Sequence, residues 1–188
     1  MSRVVLATRV FAPEPAAAAL RLRGLAHALA MDGHDVTVLT SRFGSLRGSV
    51  TDEGVLIKRF PVLRDSAGAV RGYAQYMSFD IPLFFRLLTC RRPDAVVVEP
   101  PPTTGSVARI ACSLRRIPYV YYACDILSDA AEAEHMKPLV VRVLRSIERF
   151  ALKGAEHVIA VSEGVAQRAQ ELGAVNVSVV PNGVQTQE

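Results

Sequence analysis

Residues 93–129 read PDAVVVEPPPTTGSVARIACSLRRIPYVYYACDILSD, and their pattern decides the fold. Asp94 to Glu99 is an unbroken apolar run through Ala95, Val96, Val97 and Val98; Thr103 to Arg116 has helical periodicity; Pro118 to Ala123 is apolar and β-prone again. The order is strand, helix, strand. Continuous rather than alternating hydrophobicity means that each strand is covered on both faces, as central strands of a parallel α/β sheet are. Parallel strands point the same way, so the acids that end them, Glu99 and Asp125, emerge at one carboxyl edge. Ligands of open α/β sheets bind along that edge. Taken singly, each acid reads equally as a loop residue or a cap. Together, beside Pro100, Pro101 and Pro102, they outline a candidate cleft.

Outward from this unit the alternation continues. Val4 to Thr8 is a first strand, and Pro13 and Pro15 hold the loop after it out of helix. From Ala16 a helix follows, with Leu22, Leu25, Ala26 and Leu29 on one stripe, Arg21 and Arg23 off it, and Gly33 at its end. Asp35 to Thr40 is a second strand. A polar stretch punctuated by Gly44, Gly48 and Gly54 then precedes a third, Val55 to Val62. Gly72 to Thr89 concentrates aromatic residues (Tyr73, Tyr76, Phe79, Phe84, Phe85) around Pro82. It reads as a kinked helix against the sheet, or as a segment partly facing a membrane or partner.

Beyond the central unit, Ser128 to His135 is a loop or short helix. Pro138 opens an amphipathic helix to about Lys153, with Val140, Val143, Leu144, Ile147 and Ala151 expected to be buried. Arg142, Arg145, Arg149 and Lys153 share one sector of it, either a solvated face or a contact for anionic lipid. His157 to Val161 is a strand, Ser162 caps a helix from Glu163 to Leu172, and Val177 to Val180 is a last strand before Pro181-Asn182-Gly183-Val184.

The 188 residues, half of them hydrophobic, suffice for one sizeable core. The net charge of +4 is scattered, without the aromatic-basic stripe of a nucleic-acid binder, so nucleic acid is not an expected partner. Cys90, Cys112 and Cys124 lack metal or redox spacing and read as reduced thiols; no metal site is expected. No run is long enough for a signal-peptide core or a membrane span, which points to the cytosol.

Strands alternating with helices throughout give an α/β class: a doubly wound, Rossmann-like parallel sheet of about seven strands. Its loops lack the usual fingerprints. After the first strand stand Phe11-Ala12-Pro13-Glu14-Pro15-Ala16-Ala17 instead of G-x-G-x-x-G, and there is neither a P-loop nor a G-x-S-x-G elbow.

Several pieces, in order and at matching spacing, resemble the N-terminal half of the GT-B glycosyltransferases of family four (group one). They are Phe11-Ala12-Pro13-Glu14 leading into Ala18 to Ala26, Gly33 to Thr40, Arg92 to Val98, Ile159 to Val165, and Val179 to Val184. The resemblance implies that residues 1–184 form an acceptor-side half-domain and that 185–188 begin a linker. The donor-binding half, with its Glu pair, would lie outside this chain. It also implies transfer of a sugar, with retention, from a sugar nucleotide as co-substrate to a glycan or lipid-linked acceptor, with no other cofactor, at the cytoplasmic face of an anionic membrane where the acceptor is lipid-linked.

Residue by residue, Pro15, Ala16 and Ala17 occupy the donor-phosphate loop, where relatives often carry a glycine pair. Cys124 stands where many relatives have His or Arg. Asp125 matches an Arg-Asp-Leu-Trp-like sequence of relatives that modify lipid-linked sugars, and is the candidate for orienting the acceptor hydroxyl. Glu99, Thr103, Thr104 and Cys124 are the candidate acceptor contacts, the two threonines through helix-terminal NH groups that equally serve as caps. The competing reading is a stand-alone, non-catalytic binding domain or one subunit of a split enzyme.

Overall fold

Seven parallel strands and one antiparallel edge strand make a single sheet, built from the apolar runs the sequence displays. The computed structural model describes residues 1–70 and 72–182. In chain order the elements are β1 (Arg3–Ala7), α1 (Ala17–Met31), β2 (Asp35–Ser41), β3 (Gly48–Asp52), β4 (Val55–Phe60), α2 (Tyr73–Thr89), β5 (Ala95–Val98), α3 (Pro102–Arg115), β6 (Tyr119–Ala123), α4 (Leu127–Ala133), α5 (Pro138–Gly154), β7 (His157–Ala160), α6 (Glu163–Glu171) and β8 (Val177–Val179). The strand order is β3-β4-β2-β1-β5-β6-β7-β8. The fold is the Rossmann-like half-domain expected from the sequence. The boundary expected at residue 184 and the linker at 185–188 lie outside the described residues.

The sheet is buried on both faces because successive residues of its apolar strands serve different layers. Val5 and Ala7, with Val96, Val98, Tyr119 and Tyr121, face a core closed by α2, α3 and α5. Val4, Leu6, Val36, Val38 and Val97 face the opposite core under Leu22 and Ala26 of α1. Gly105 sets the closeness of the first layer: a Cβ there would overlap the ring of Tyr121 and meet Ala151 Cβ at 3.0 Å. Helix α3 can lie in the crease between β6 and α5 because this residue has no side chain.

Three local expectations are corrected. The polar stretch before β4 contains β3, which pairs antiparallel with β4 through a tight turn at Glu53 and Gly54, both at positive φ (46° and 83°). An exposed edge strand needs no apolar run, so hydrophobicity did not reveal it. Helix α2 continues through Pro82 as one element; burial of Phe79, Leu83 and Leu87 offsets the backbone hydrogen bond that proline forfeits. The inner face of α5 is Val141, Glu148, Ala151 and Leu152, whereas Val140 and Val143 are exposed and Leu144 and Ile147 only half-buried.

Candidate functional site

In this strand order the chain runs outward from β1 through β2 to β4 on one side, and from β5 to β8 on the other. The reversal falls between β1 and β5, and the carboxyl ends of these two strands are where such sheets open a crevice. Thr8 follows β1 and Glu99 follows β5, and the Thr8 hydroxyl donates to Glu99 Oε2 at 3.0 Å across the switch point. From α1, Arg21 donates to the other carboxylate oxygen, Oε1, at 2.5 Å. The guanidinium of Arg21 also lies 5.0 Å from the centre of the Tyr122 ring, and Asn182 Oδ1 is 3.5 Å away. Glu99 is buried and Arg21 half-buried. Burial pushes the Glu99 carboxyl above its ordinary value, and Arg21 and the Thr8 hydroxyl pull it part of the way back.

The loop after β6 borders this pair. Cys124 is half-buried and Asp125 exposed, with Sγ and Oδ1 3.6 Å apart. Burial, then the charges of Asp125 and Glu99, push the Cys124 thiol up to about 12. It is therefore a neutral thiol at physiological pH, able to pack and weakly donate but not to act as a nucleophile. The position of this loop is set from a distance by Glu148 on α5. Its buried carboxylate accepts from Leu127 N at 2.8 Å, Ser128 N at 3.2 Å and the Ser128 hydroxyl at 2.6 Å. Helix α4 has no capping side chain of its own, and Glu148 satisfies its first NH groups instead.

Pro15 and Ala17 are exposed and Ala16 half-buried, where the β1–α1 loop enters the helix. No side chain caps α1, so a 15-residue helix presents its free first-turn NH groups and positive dipole end at the carboxyl edge of the sheet. Cations brace the loop before it. Arg64 grips Glu14 through two bonds of 2.7 and 3.1 Å, Arg59 donates to Ala12 O at 2.7 Å, and Arg9 donates to Val70 O at 2.7 Å and Pro100 O at 3.2 Å.

Thr103 is half-buried beside Pro102. Thr104 is fully buried, its hydroxyl donated to Asp80 Oδ1 at 2.6 Å and its NH to Pro101 O at 3.0 Å. Its hydroxyl and its NH are thus both engaged within the chain. Burial raises the Asp80 carboxyl as well, against the bond from Thr104, the nearby Thr103 hydroxyl and the charge of Arg9. Among the described residues no three His, Cys, Asp or Glu side chains gather to hold a metal ion.

The site therefore joins Glu99, Cys124 and Asp125 on one edge with the amino end of α1. Sequence reasoning missed Thr8, Arg21, Asp80 and Glu148. Arg21 was legible in one respect: a lone acid ending a central strand is buried, and a buried carboxylate calls for a cation.

Residues 16–183 match the model of the glycosyl transferase 4-like domain. The chain belongs to this family. Solved structures agree in fold. Sucrose-phosphate synthase from Thermosynechococcus elongatus superposes with a TM-score of 0.71 at 14% identity over 96% of this chain. Starch synthase IV from Arabidopsis thaliana, bound to ADP and acarbose, gives 0.65 at 13% over 97%. HepE from Anabaena, in complex with UDP-glucose, gives 0.61 at 18% over 98%. The aligned part is 48%, 52% and 44% of those chains respectively, so this chain spans about half their length. No curated protein matches the sequence at a significant level.

Proposed function

We propose that this chain is the acceptor-side half of a retaining glycosyltransferase, which moves a sugar from a sugar nucleotide to a glycan or lipid-linked acceptor at the cytoplasmic side of a membrane. The observation that carries the reading is the exposed Asp125 carboxylate on the same sheet edge as the uncapped amino end of α1, in a chain of this family. HepE binds UDP-glucose and starch synthase IV binds ADP, which favours a sugar nucleotide as co-substrate. A second half, like the parts of those proteins that this chain does not span, would hold most of the nucleotide.

In that arrangement the bond from the anomeric carbon to the nucleotide's terminal phosphate oxygen breaks as the acceptor oxygen bonds to the same face of the sugar. Negative charge grows on the leaving phosphate. The NH groups of Ala17 and Ala18 at the start of α1 would accept that charge without losing existing partners. Asp125 would accept a hydrogen bond from the acceptor hydroxyl and orient its oxygen toward the anomeric carbon, while the hydroxyl proton would pass to the departing phosphate oxygen on that same face. Arg21 and Glu99, tied to each other and, through Glu99, to Thr8, would form a rigid floor.

The reading is tested by assaying transfer from UDP- and ADP-sugars with the chain alone and with a protein that continues past Glu188 into a second half. Activity confined to the longer protein supports it. Turnover by the chain alone at an ordinary enzymatic rate would overturn the half-site arrangement, and glycan binding without turnover by either would favour a non-catalytic binding domain.

A further inference from the structure

Helices α2, α3 and α5 lie side by side on one face of the sheet, with α3 in the middle. Arg109 of α3 donates to the Phe150 carbonyl of α5, and Arg115 donates to the Leu87 carbonyl of α2 at 2.5 Å, so the layer is tied together as one surface. Each helix turns an apolar pair or triplet outward: Ile81 and Phe85, Ile110 and Leu114, and Leu139, Val143 and Phe150. Phe85 is 59%, Leu114 67% and Leu139 68% exposed. Apolar residues that recur on the outer faces of three adjacent helices differ from the single exposed side chains of an ordinary surface.

Charge on these helices is one-sided. α2 contributes Arg86, α3 Arg109 and Arg115, and α5 Arg142, Arg145, Arg149 and Lys153. Their only carboxylates are Asp80 and Glu148, and both are buried. Arg145 is neutralised by Glu132 at 2.5 Å and by Asp129 at 3.5 Å. Arg142, Arg149 and Lys153 are exposed and have no acidic partner among the described residues. On the helical wheel of α5 they stand immediately beside Leu139, Val143 and Phe150. Arg142 and Arg149 also line an open groove of about 520 Å³ next to Met136, Pro138 and Glu132, the last of these paired with Arg145.

We propose that this three-helix face docks on an anionic lipid bilayer, the apolar residues entering the interface and Arg142, Arg149 and Lys153 contacting headgroup phosphates. Among the described residues the unpaired charges that these three helices expose are all positive, which disfavours packing against a second copy, whereas a surface of lipid phosphates complements them. Apolar insertion and basic contact together supply reversible binding without a spanning segment, and among the described residues no helix is long and apolar enough to span. The amino ends of α3 and α5 bring the rim of this face to the carboxyl edge of the sheet, so docking leaves the candidate site open. The inference does not depend on sugar transfer.

Co-sedimentation of the whole chain with vesicles of phosphatidylcholine alone, or containing phosphatidylglycerol, tests it. Binding is expected only with phosphatidylglycerol, and is expected to weaken as salt rises. Changing Arg142, Arg149 and Lys153 together to Gln should weaken partitioning about a hundredfold, from the usual contribution of a basic residue near an anionic surface. Leu139→Gln with Val143→Gln should weaken it as well, with thermal melting unchanged because neither side chain is buried. Absence of binding to either vesicle, equal binding to both, or binding indifferent to both sets of substitutions would each overturn the proposal. Saturable capture of an acidic protein with no vesicle binding would do the same.

Discussion

Thr8 and Glu99, 91 residues apart, are joined by a 3.0 Å hydrogen bond across the point where the sheet's order reverses. Neither residue belongs to a strand; each is the first residue after one. The bond exists because β1 and β5 are parallel neighbours in register, Ala7 opposite Val98, so the residues that leave them meet at the same level. The carboxyl edge is thereby closed at its base, and what remains open to a ligand is the rim formed by the start of α1 and the Cys124–Asp125 loop. A fold-level rule about where parallel sheets bind ligands becomes, in this chain, a statement about particular side chains.

Asp125 is the exposed member of that rim, and its substitution should separate chemistry from folding. In a protein carrying both halves, Asp125→Ala is expected to lower kcat by one or more orders of magnitude, because an acceptor hydroxyl loses its orienting partner. Stability should change by no more than about 0.5 kcal/mol, as for an exposed loop residue. Kinetics and urea denaturation measured on the same variant check both halves of the statement. Unaltered kinetics would reduce Asp125 to a loop residue.

Glu148 should behave in the opposite way. Its carboxylate accepts two backbone NH groups and one hydroxyl at the start of α4, and Glu148→Ala leaves all three donors without that partner. The expected loss is about 2–4 kcal/mol in the chain alone, read from urea denaturation. A loss below 0.5 kcal/mol, on the order of a surface substitution, would show that water replaces the carboxylate freely.

The elements legible in the sequence were those whose burial is complete. β1, β2, β5 and β6 announce themselves because both their faces are covered, and Ser162 caps α6 as expected, its hydroxyl accepting from Val165 N at 3.3 Å. Edges and surfaces were less legible. β3 has no apolar face to betray it, and α5 carries apolar residues over so much of its circumference that periodicity could not say which stripe meets the core. The deciding residue there is Glu148, whose charge suggests solvent although its partners are in the interior. Glu99 and Asp125 could be read as strand-end acids from pattern alone, but Arg21 and Thr8 reach Glu99 through tertiary packing that sequence spacing does not encode.

Two helical glycines should respond to alanine with opposite signs. Gly24 in α1 has no heavy atom within 4 Å of an added Cβ, so Gly24→Ala is expected to stabilise the chain by roughly 0.5–1 kcal/mol, through reduced freedom of the unfolded state. At Gly105 the same methyl would run into Tyr121 and Ala151, both packed in the core. Gly105→Ala should cost about 1–3 kcal/mol despite the better helix propensity, because overpacking outweighs it. Melting of the two variants against the parent is a direct comparison, and a stabilised Gly105→Ala would mean that α3 can shift away from β6.

The ion pair of Arg21 with Glu99 gives the sharpest pH signature. With Arg21 present, burial already holds the Glu99 carboxyl above its ordinary value. Arg21→Met removes the cation that pulls that value down, so burial acts almost alone and the folded carboxyl rises further. A group whose folded value exceeds its unfolded one favours the folded state at low pH, and that contribution is lost as pH rises through the folded value. The cost of Arg21→Met should therefore be small in acid, where Glu99 is protonated in both states. It should grow as pH rises through the carboxylate range, toward about 3 kcal/mol for a buried charge left without its partner. Adding Glu99→Gln should recover much of that loss near neutrality and little of it in acid, since an amide has no proton to release. Urea denaturation of parent, single and double variants across pH supplies the test, and a cost of Arg21→Met that stays flat with pH would show that Glu99 does not ionise in the folded chain.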